Sequence, residues 1–357
     1  MIAPPTPDRV RRILVLRPRA LGDVVLVTPA LRALRAGFPT AAIEVAVDAG
    51  LASVLRHNPH VDRLWLLPPR GRGPRAWWPI YAGIARAGFD LAVDFHGSPR
   101  TAFLAAWSRA PHRFGYALRG RGRFYNHRVP RDADRNGIRR PMYAARINLE
   151  MVARCGVTGP ELEDTTLVLP PEPDAEARME ALFASVAAAR PRIGLVPAGT
   201  WPAKTWPEAS WARVADVLAD AGATIVLLWG PGERAVVERV RASMLRPAVI
   251  LPATDLAELA AVVARLDLLI AHDSGVRHVA VARATPTLGL FGPTDPRNWN
   301  PPHGPHHGVR VELPCVGCNL ITCTHHLCMR LLQPAGVARR ALEVLASSLD
   351  ARPACGS

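Results

Sequence analysis

Lysine is almost absent from this chain. Of its 44 lysine and arginine residues a single one is lysine, Lys204, in the turn "GTWPAKTWP" that spans 199–207. A site that needs a compact ammonium on a flexible stem therefore has one candidate. Long apolar runs are missing as well. No stretch approaches the ~18 residues of a spanning helix, so none is expected. The start, "MIAPPTPDRVRR", has no apolar core of a secretory signal, which makes a cytoplasmic location the expectation. Six cysteines in 357 residues are too few for a disulfide scaffold. The Gly-x4-Gly-Lys-Ser/Thr pattern is absent, which excludes a Walker A loop. No groove-binding or base-stacking module is visible, so a nucleic-acid partner is not expected.

What is present fits two globular domains: 357 residues, 49% apolar and 21% charged. The formal charge of +14 calls for an acidic partner, whether nucleic acid, an anionic membrane surface, or a phosphorylated or carboxylated substrate. Short apolar runs alternate with helical patterns, the signature of α/β architecture with parallel sheets. Strands are predicted at 12–18, 42–48, 61–67 and 90–96, and a helix at 141–156 closes the first half. A link with one helix follows. Strands at 192–199, 224–230, 248–253, 268–273 and 285–292 then alternate with helices, and an amphipathic helix near 334–349 ends the chain. Two Rossmann-like halves bind ligands at the C-terminal ends of their strands, here toward a cleft between domains.

The loops after these strands carry the chemistry. In "RPRALGDVVLVTPAL" (17–31) Asp23 is either a first-turn acid favoured by the helix dipole or a carboxylate able to take a proton from a sugar hydroxyl. In "VPAGTWPAKTWP" a Gly-Thr turn at Gly199-Thr200 and the Lys204 ammonium suit phosphate oxygens. "LLIAHDSGVRHVAVA" runs from a strand into a helix whose first turn, Ser274 and Gly275, offers N–H groups to a diphosphate. Asp273 caps that helix or holds sugar hydroxyls. His278 is either a core histidine or a member of the site, and Arg277 either adds charge near the diphosphate or faces solvent.

Taken in order, five segments resemble glycosyltransferase family nine, the ADP-heptose:lipopolysaccharide heptosyltransferases. They are "LRPRALGDVVLVTPALRALRAGFP", "FDLAVDFHGSPRTAFLA", "GTWPAKTWPEASWARVADVL", "AHDSGVRHVAVARATPTLGLFGPTDP" and the late cysteine cluster. The resemblance runs from about residue 12 to 349. It implies a GT-B fold: an acceptor-binding Rossmann-like domain (1–170), a nucleotide-sugar-binding one (190–332) facing it across a cleft, and a C-terminal helix and tail (333–357) that pack back on the first domain. It implies a general base at Asp23 and single-displacement inversion. It places Thr200, Lys204, Glu233, Asp273, Ser274, Gly275 and His278 on the donor, and Arg17, Arg19, Gly22 and His96 on the acceptor. No cofactor is required by that chemistry. The loop Arg19-Ala20-Leu21 departs from the small hydroxyl residues common in the family, which bears on acceptor identity.

Two features stand apart. The segment 108–146 has 11 arginines and reads as a solvated loop or, in such a transferase, as a grip on an acidic lipid-linked acceptor or on headgroups of the inner membrane face. Cys315, Cys318, Cys323 and Cys328 are spaced C-x2-C-x4-C-x4-C and could hold a structural zinc or an iron–sulfur group, or stay as thiols. Cys155 and Cys355 read as unpaired. The expectation is a monomeric, membrane-peripheral heptosyltransferase. The alternatives are a transferase with another nucleotide-sugar donor, a GT-B epimerase or hydrolase, and a non-enzymatic basic protein that binds metal or nucleic acid.

Overall fold

The computed structural model describes residues 3–69, 71–131, 141–187 and 189–350. Cys355 and part of the arginine-rich segment lie outside them. The chain divides into two compact units, Met1–Pro170 and Pro171–Ser357.

Each unit is built on a six-stranded parallel sheet. The first contains β1 (Arg12–Leu16), β2 (Ala42–Asp48), β3 (Arg63–Leu67), β4 (Leu91–Asp94), β5 (His112–Tyr116) and β6 (His127–Val129), in the order β3-β2-β1-β4-β5-β6. The second contains β7 (Arg192–Val196), β8 (Thr224–Leu227), β9 (Val249–Ile250), β10 (Leu268–His272), β11 (Thr287–Leu290) and β12 (His306–Val309), in the order β12-β11-β10-β7-β8-β9. The two orders are the same order. Central strands such as "ILVL" and "LLIAH" are buried along their whole length, as strands covered on both faces must be. Strand direction through the sheet reverses its build-out at β1/β4 and at β7/β10, and loops leaving the C-terminal ends there frame a crevice.

The arginine-rich segment is more than a solvated loop. It supplies β5 and β6, which pair in parallel. Gly115 of β5 lies under the Tyr125 ring, where any Cβ would overlap it, so the strand passes only because glycine stands there. Arg113 spends its guanidinium on the Phe124 and Ala110 carbonyls, at 3.0 and 2.7 Å. Short length, few apolar residues and flanking arginines hide such strands from a periodicity reading.

The last helix, Pro334–Asp350, packs into the second unit. Its buried stripe, Val337, Ala338, Ala341, Val344 and Leu345, belongs to the core of the second unit with Trp206, Trp211 and Leu218. It lies on the helix Glu208–Asp220 and on β10. The reason is supply: that helix presents Trp211, Val214, Ala215 and Leu218, an apolar face that needs cover. The link helix Pro173–Val186 is also part of this unit, tied down by Arg265–Glu176 (2.5 Å) and Arg283–Glu176 (2.6 Å). Among the described residues no helix is long and apolar enough to cross a membrane.

Candidate functional site

In the second unit the loops after β7 and β10 meet. The loop after β7 turns through Pro202–Lys204 and brings Lys204 Nζ to the carboxylate and the carbonyl of Asp273, at 2.8 and 3.0 Å. The ammonium also lies 4.3 Å from the centre of the Trp201 ring, a cation–π contact. Asp273 is 4% exposed in its side chain, with Arg277 at 3.7 Å and His278 Nε2 at 4.0 Å. Burial alone would push its carboxyl up; the charges of Lys204, Arg277 and His278 outweigh that and hold it below the ordinary range. The site is therefore an ionised acid gripped by cations.

The helix Gly275–Ala282 begins at the same point. Ser274 is its N-cap but makes no capping bond, and its buried Oγ has no partner. A spare hydroxyl beside a helix N-terminus and an ammonium is an arrangement for anionic oxygens. Next to it is a cavity of about 440 Å³ whose walls include Gly199, Trp206, Glu233, His326 and Arg330. Glu233 Oε2 accepts from the Gly230 N–H at 2.9 Å, which leaves its other oxygen for a ligand. Thr200 is exposed beside Gly199.

Behind this surface His272 ties β10 to the loop after β7, its Nε2 accepting from the Trp206 N–H at 2.9 Å. The ring is 1% exposed, edge-on to Trp211 at 5.2 Å. Burial lowers its pKa to about 4. Below pH 6.5 the unfolded chain takes a proton that the folded one refuses, so stability falls as pH drops from about 6.5 to about 4. For this group the loss approaches about 3 kcal/mol. Urea titrations of wild type and His272→Gln between pH 4 and 7 should give curves that converge toward low pH; parallel curves would show that His272 does not titrate in this way.

In the first unit the equivalent loops, after β1 and β4, carry the acceptor candidates. Arg17 Nη2 pairs with Asp23 Oδ1 at 2.5 Å, and Arg17 also donates to the Asp23 and Phe95 carbonyls. Asp23 Oδ2 accepts from the Ala20 N–H at 3.2 Å, and its side chain keeps 28% exposure. A separate cavity of about 260 Å³ is lined by Arg19, Asp48, His96, Ser98 and Arg100 among others. Burial pushes the Asp48 carboxyl up, with Arg100 opposing. The His96 turn is set by Asp94, whose carboxylate accepts from the His96 and Gly97 N–H groups (2.8 and 2.9 Å) and the Tyr125 hydroxyl (2.6 Å). Gly97 turns there at φ +69°, a conformation open to glycine.

The sequence profile described as "Glycosyltransferase family 9 (heptosyltransferase)" matches residues 78–328, well over half of the chain. The chain belongs to glycosyltransferase family 9. It is 26% identical over 334 residues to lipopolysaccharide heptosyltransferase 1 of Pseudomonas aeruginosa, covering 88% of each chain. The solved family 9 glycosyltransferase of Veillonella parvula superposes with a TM-score of 0.80 at 24% identity, over 94% of this chain and 97% of that one. The Escherichia coli ADP-heptose lps heptosyltransferase II does so at 0.75 and 22%, over 95% and 99%. The fold of this transferase is thus α/β with the two domains of GT-B enzymes.

Within the transferase the structure gathers Lys204, Asp273, Ser274, Gly275 and His278 at one point and sets Glu233 in the adjoining cavity. Arg19 and His96 share the cavity of the first unit. Arg17 does not line it; it serves Asp23. Gly22 is buried inside the helix Leu21–Val25, its carbonyl accepting from the Leu26 N–H. Arg277 does not face solvent. It is fully buried, donating to Asn300 Oδ1 (2.9 Å) and the Trp299 carbonyl (2.6 Å), with room made by Gly289. Sequence reasoning missed Asp94 and His272, buried polar residues at strand ends whose position was their one signal.

The cysteines divide. Cys315, Cys318 and Cys323 are exposed, and Cys328 is buried so close to Gly292 that a Cβ there would fall 2.9 Å from its Sγ. Burial, with Cys315 and Cys318 nearby, pushes the Cys328 thiol up. Among the described residues no three His, Cys, Asp or Glu side chains are grouped to hold a metal ion. Cys155 is buried and free.

Proposed function

We propose that this transferase moves a heptose from ADP-heptose to an acidic, lipid-linked glycan of the lipopolysaccharide inner core, Kdo- or heptose-bearing, with inversion at the anomeric carbon. The observation that carries the reading is the meeting of Lys204, Asp273 and the uncapped Ser274 at the C-terminal ends of β7 and β10. One compact cation, a helix N-terminus and a spare hydroxyl suit a diphosphate. The names of the Pseudomonas and Escherichia relatives support the sugar and the nucleotide.

In this reading Lys204, Ser274 and the first N–H groups of the helix hold the diphosphate, and Glu233 meets the nucleoside through its ribose. Asp23 takes the proton from an acceptor hydroxyl as that oxygen bonds to the anomeric carbon. The bond to the diphosphate breaks in the same displacement, and ADP leaves with its new charge on Lys204. Arg19 and Arg100 suit acidic groups of the acceptor. Arg119, Arg123 and Arg128 line a further cavity of about 360 Å³ and pair with no carboxylate among the described residues. They suit the same glycolipid or the headgroups of the inner face of the cytoplasmic membrane.

Calorimetric titration with ADP, UDP and GDP tests the donor. Selective binding of ADP is expected. Preference for UDP or GDP would keep the transferase and replace its donor, and no binding at all would sink the diphosphate site.

A further inference from the structure

The segment between β12 and the helix Leu327–Arg330 has little core of its own. Leu320 and Ile321 are about half exposed, at 51% and 55%, and three of its cysteines are exposed. Its polar groups nevertheless converge on one residue elsewhere in the unit. The Ile321 carbonyl accepts from the Ala203 N–H at 3.0 Å, and His326 Nε2 donates to the Ala203 carbonyl at 2.9 Å. Ala203 is 1% exposed, commits both backbone groups to this segment, and immediately precedes Lys204.

The turn Pro202–Lys204 closes on itself through Lys204 N–H to the Trp201 carbonyl and Thr205 N–H to the Pro202 carbonyl, at 2.9 and 3.2 Å. Those bonds give the turn its shape. They do not aim it, because all four partners move with the turn. The two bonds to Ala203 come from outside, 118 and 123 positions away in the chain as read from the paired residue numbers. The outside segment is itself anchored by the Asn319 N–H, which bonds the Pro293 carbonyl at 2.7 Å, while the His326 N–H to Cys323 Sγ bond, at 3.3 Å, shapes it from within. His326 then opens the helix that buries Cys328 and Met329. Its imidazole thus spans from a fixed helix start to the residue that carries Lys204 forward.

We infer that His326 is a positioning residue for donor binding: with Ile321 it clamps Ala203 and so fixes where the Lys204 ammonium meets the diphosphate. This rests on the reading of Lys204 as a diphosphate ligand. The role needs a donor at Nε2, which glutamine supplies with its side-chain amide and methionine, of similar length, does not. Losing that bond leaves Ala203 held from outside by the Ile321 carbonyl alone, which loosens the turn before any ligand arrives, and re-ordering it weakens binding.

The test is calorimetry with ADP and steady-state kinetics on His326→Gln, His326→Met, Lys204→Ala and the double variant Lys204→Ala/His326→Met, each checked for folding by its melting temperature. His326→Met is expected to weaken ADP about tenfold and raise the donor KM with kcat at saturation held, while His326→Gln stays within about twofold of wild type. In the Lys204→Ala background the His326→Met change should cost nothing more, because the two act through one contact. Additive losses, or equal behaviour of Gln and Met, would overturn the clamp while leaving Lys204 in place. Unchanged ADP affinity in Lys204→Ala would overturn the diphosphate reading and the clamp with it.

Discussion

Asp23→Asn is expected to lower kcat by about 10²- to 10⁴-fold, the range a positioned proton acceptor supplies, and to leave ADP affinity unchanged. The wild-type carboxylate is held by two groups of its own unit, Arg17 on one oxygen and the Ala20 N–H on the other, and the Arg17 Nε–H also donates to the Asp23 backbone carbonyl. It keeps enough exposure to reach a hydroxyl. Asparagine retains an oxygen for Ala20 but cannot take a proton at neutral pH. The change also strips the Arg17 guanidinium, 7% exposed, of its counter-charge. An uncompensated buried charge is destabilising, so the melting temperature should fall as well. Turnover must therefore be measured well below that temperature, beside an ADP titration that reports on the folded second unit. Turnover near wild type in a folded variant would remove Asp23 from the reaction.

Lys204→Ala is expected to raise the ADP dissociation constant about 100-fold, within the span seen when one partner of a buried, hydrogen-bonded charge pair is removed. Lys204→Arg should not restore it. The ammonium fits between the Trp201 ring and Asp273, touching a carboxylate and a carbonyl at 2.8 and 3.0 Å. A guanidinium is planar and larger, and presents its donors in a fork rather than at a point. Without Lys204, Asp273 keeps only Arg277 at 3.7 Å and His278 at 4.0 Å against its buried charge, and repels the incoming diphosphate. Titration calorimetry on both variants decides. Wild-type affinity in the arginine variant would mean that any cation serves, and the lone lysine would then carry no specificity.

The proposed donor half of the site could be assembled from the sequence because its parts are short-range. A strand, a Gly-Thr turn and a lysine occupy 192–204, and a strand, Asp-Ser-Gly and a helix occupy 268–282. Those segments left Arg277 open, as a charge near the diphosphate or a solvent-facing residue; Gly289 across on β11 leaves a slot that it fills, buried and 3.7 Å from Asp273. The proposed acceptor half was less legible. Arg17, Arg19 and Gly22 follow β1 and His96 follows β4, but of these four Arg19 and His96 alone share the cavity, while Asp94 beneath His96 gave no signal beyond its position. Strands β5, β6 and β12 escaped notice for one reason: they are short, contain arginine, histidine or glycine, and become strands only by pairing with a formed neighbour.

By itself the sequence determined the two alternating α/β halves, the loops that follow their strands, and the single lysine among them. Periodicity and turn residues encode which face of a segment is buried and where it ends, and those are local properties. The tertiary structure alone decided the partners: Lys204 with Asp273, Ala203 with His326, Arg17 with Asp23 and Phe95, and the last helix with the helix Glu208–Asp220. An apolar stripe seeks cover and a buried charge seeks a counter-charge, but neither names its partner. That choice is made when the sheets bring distant strand ends side by side.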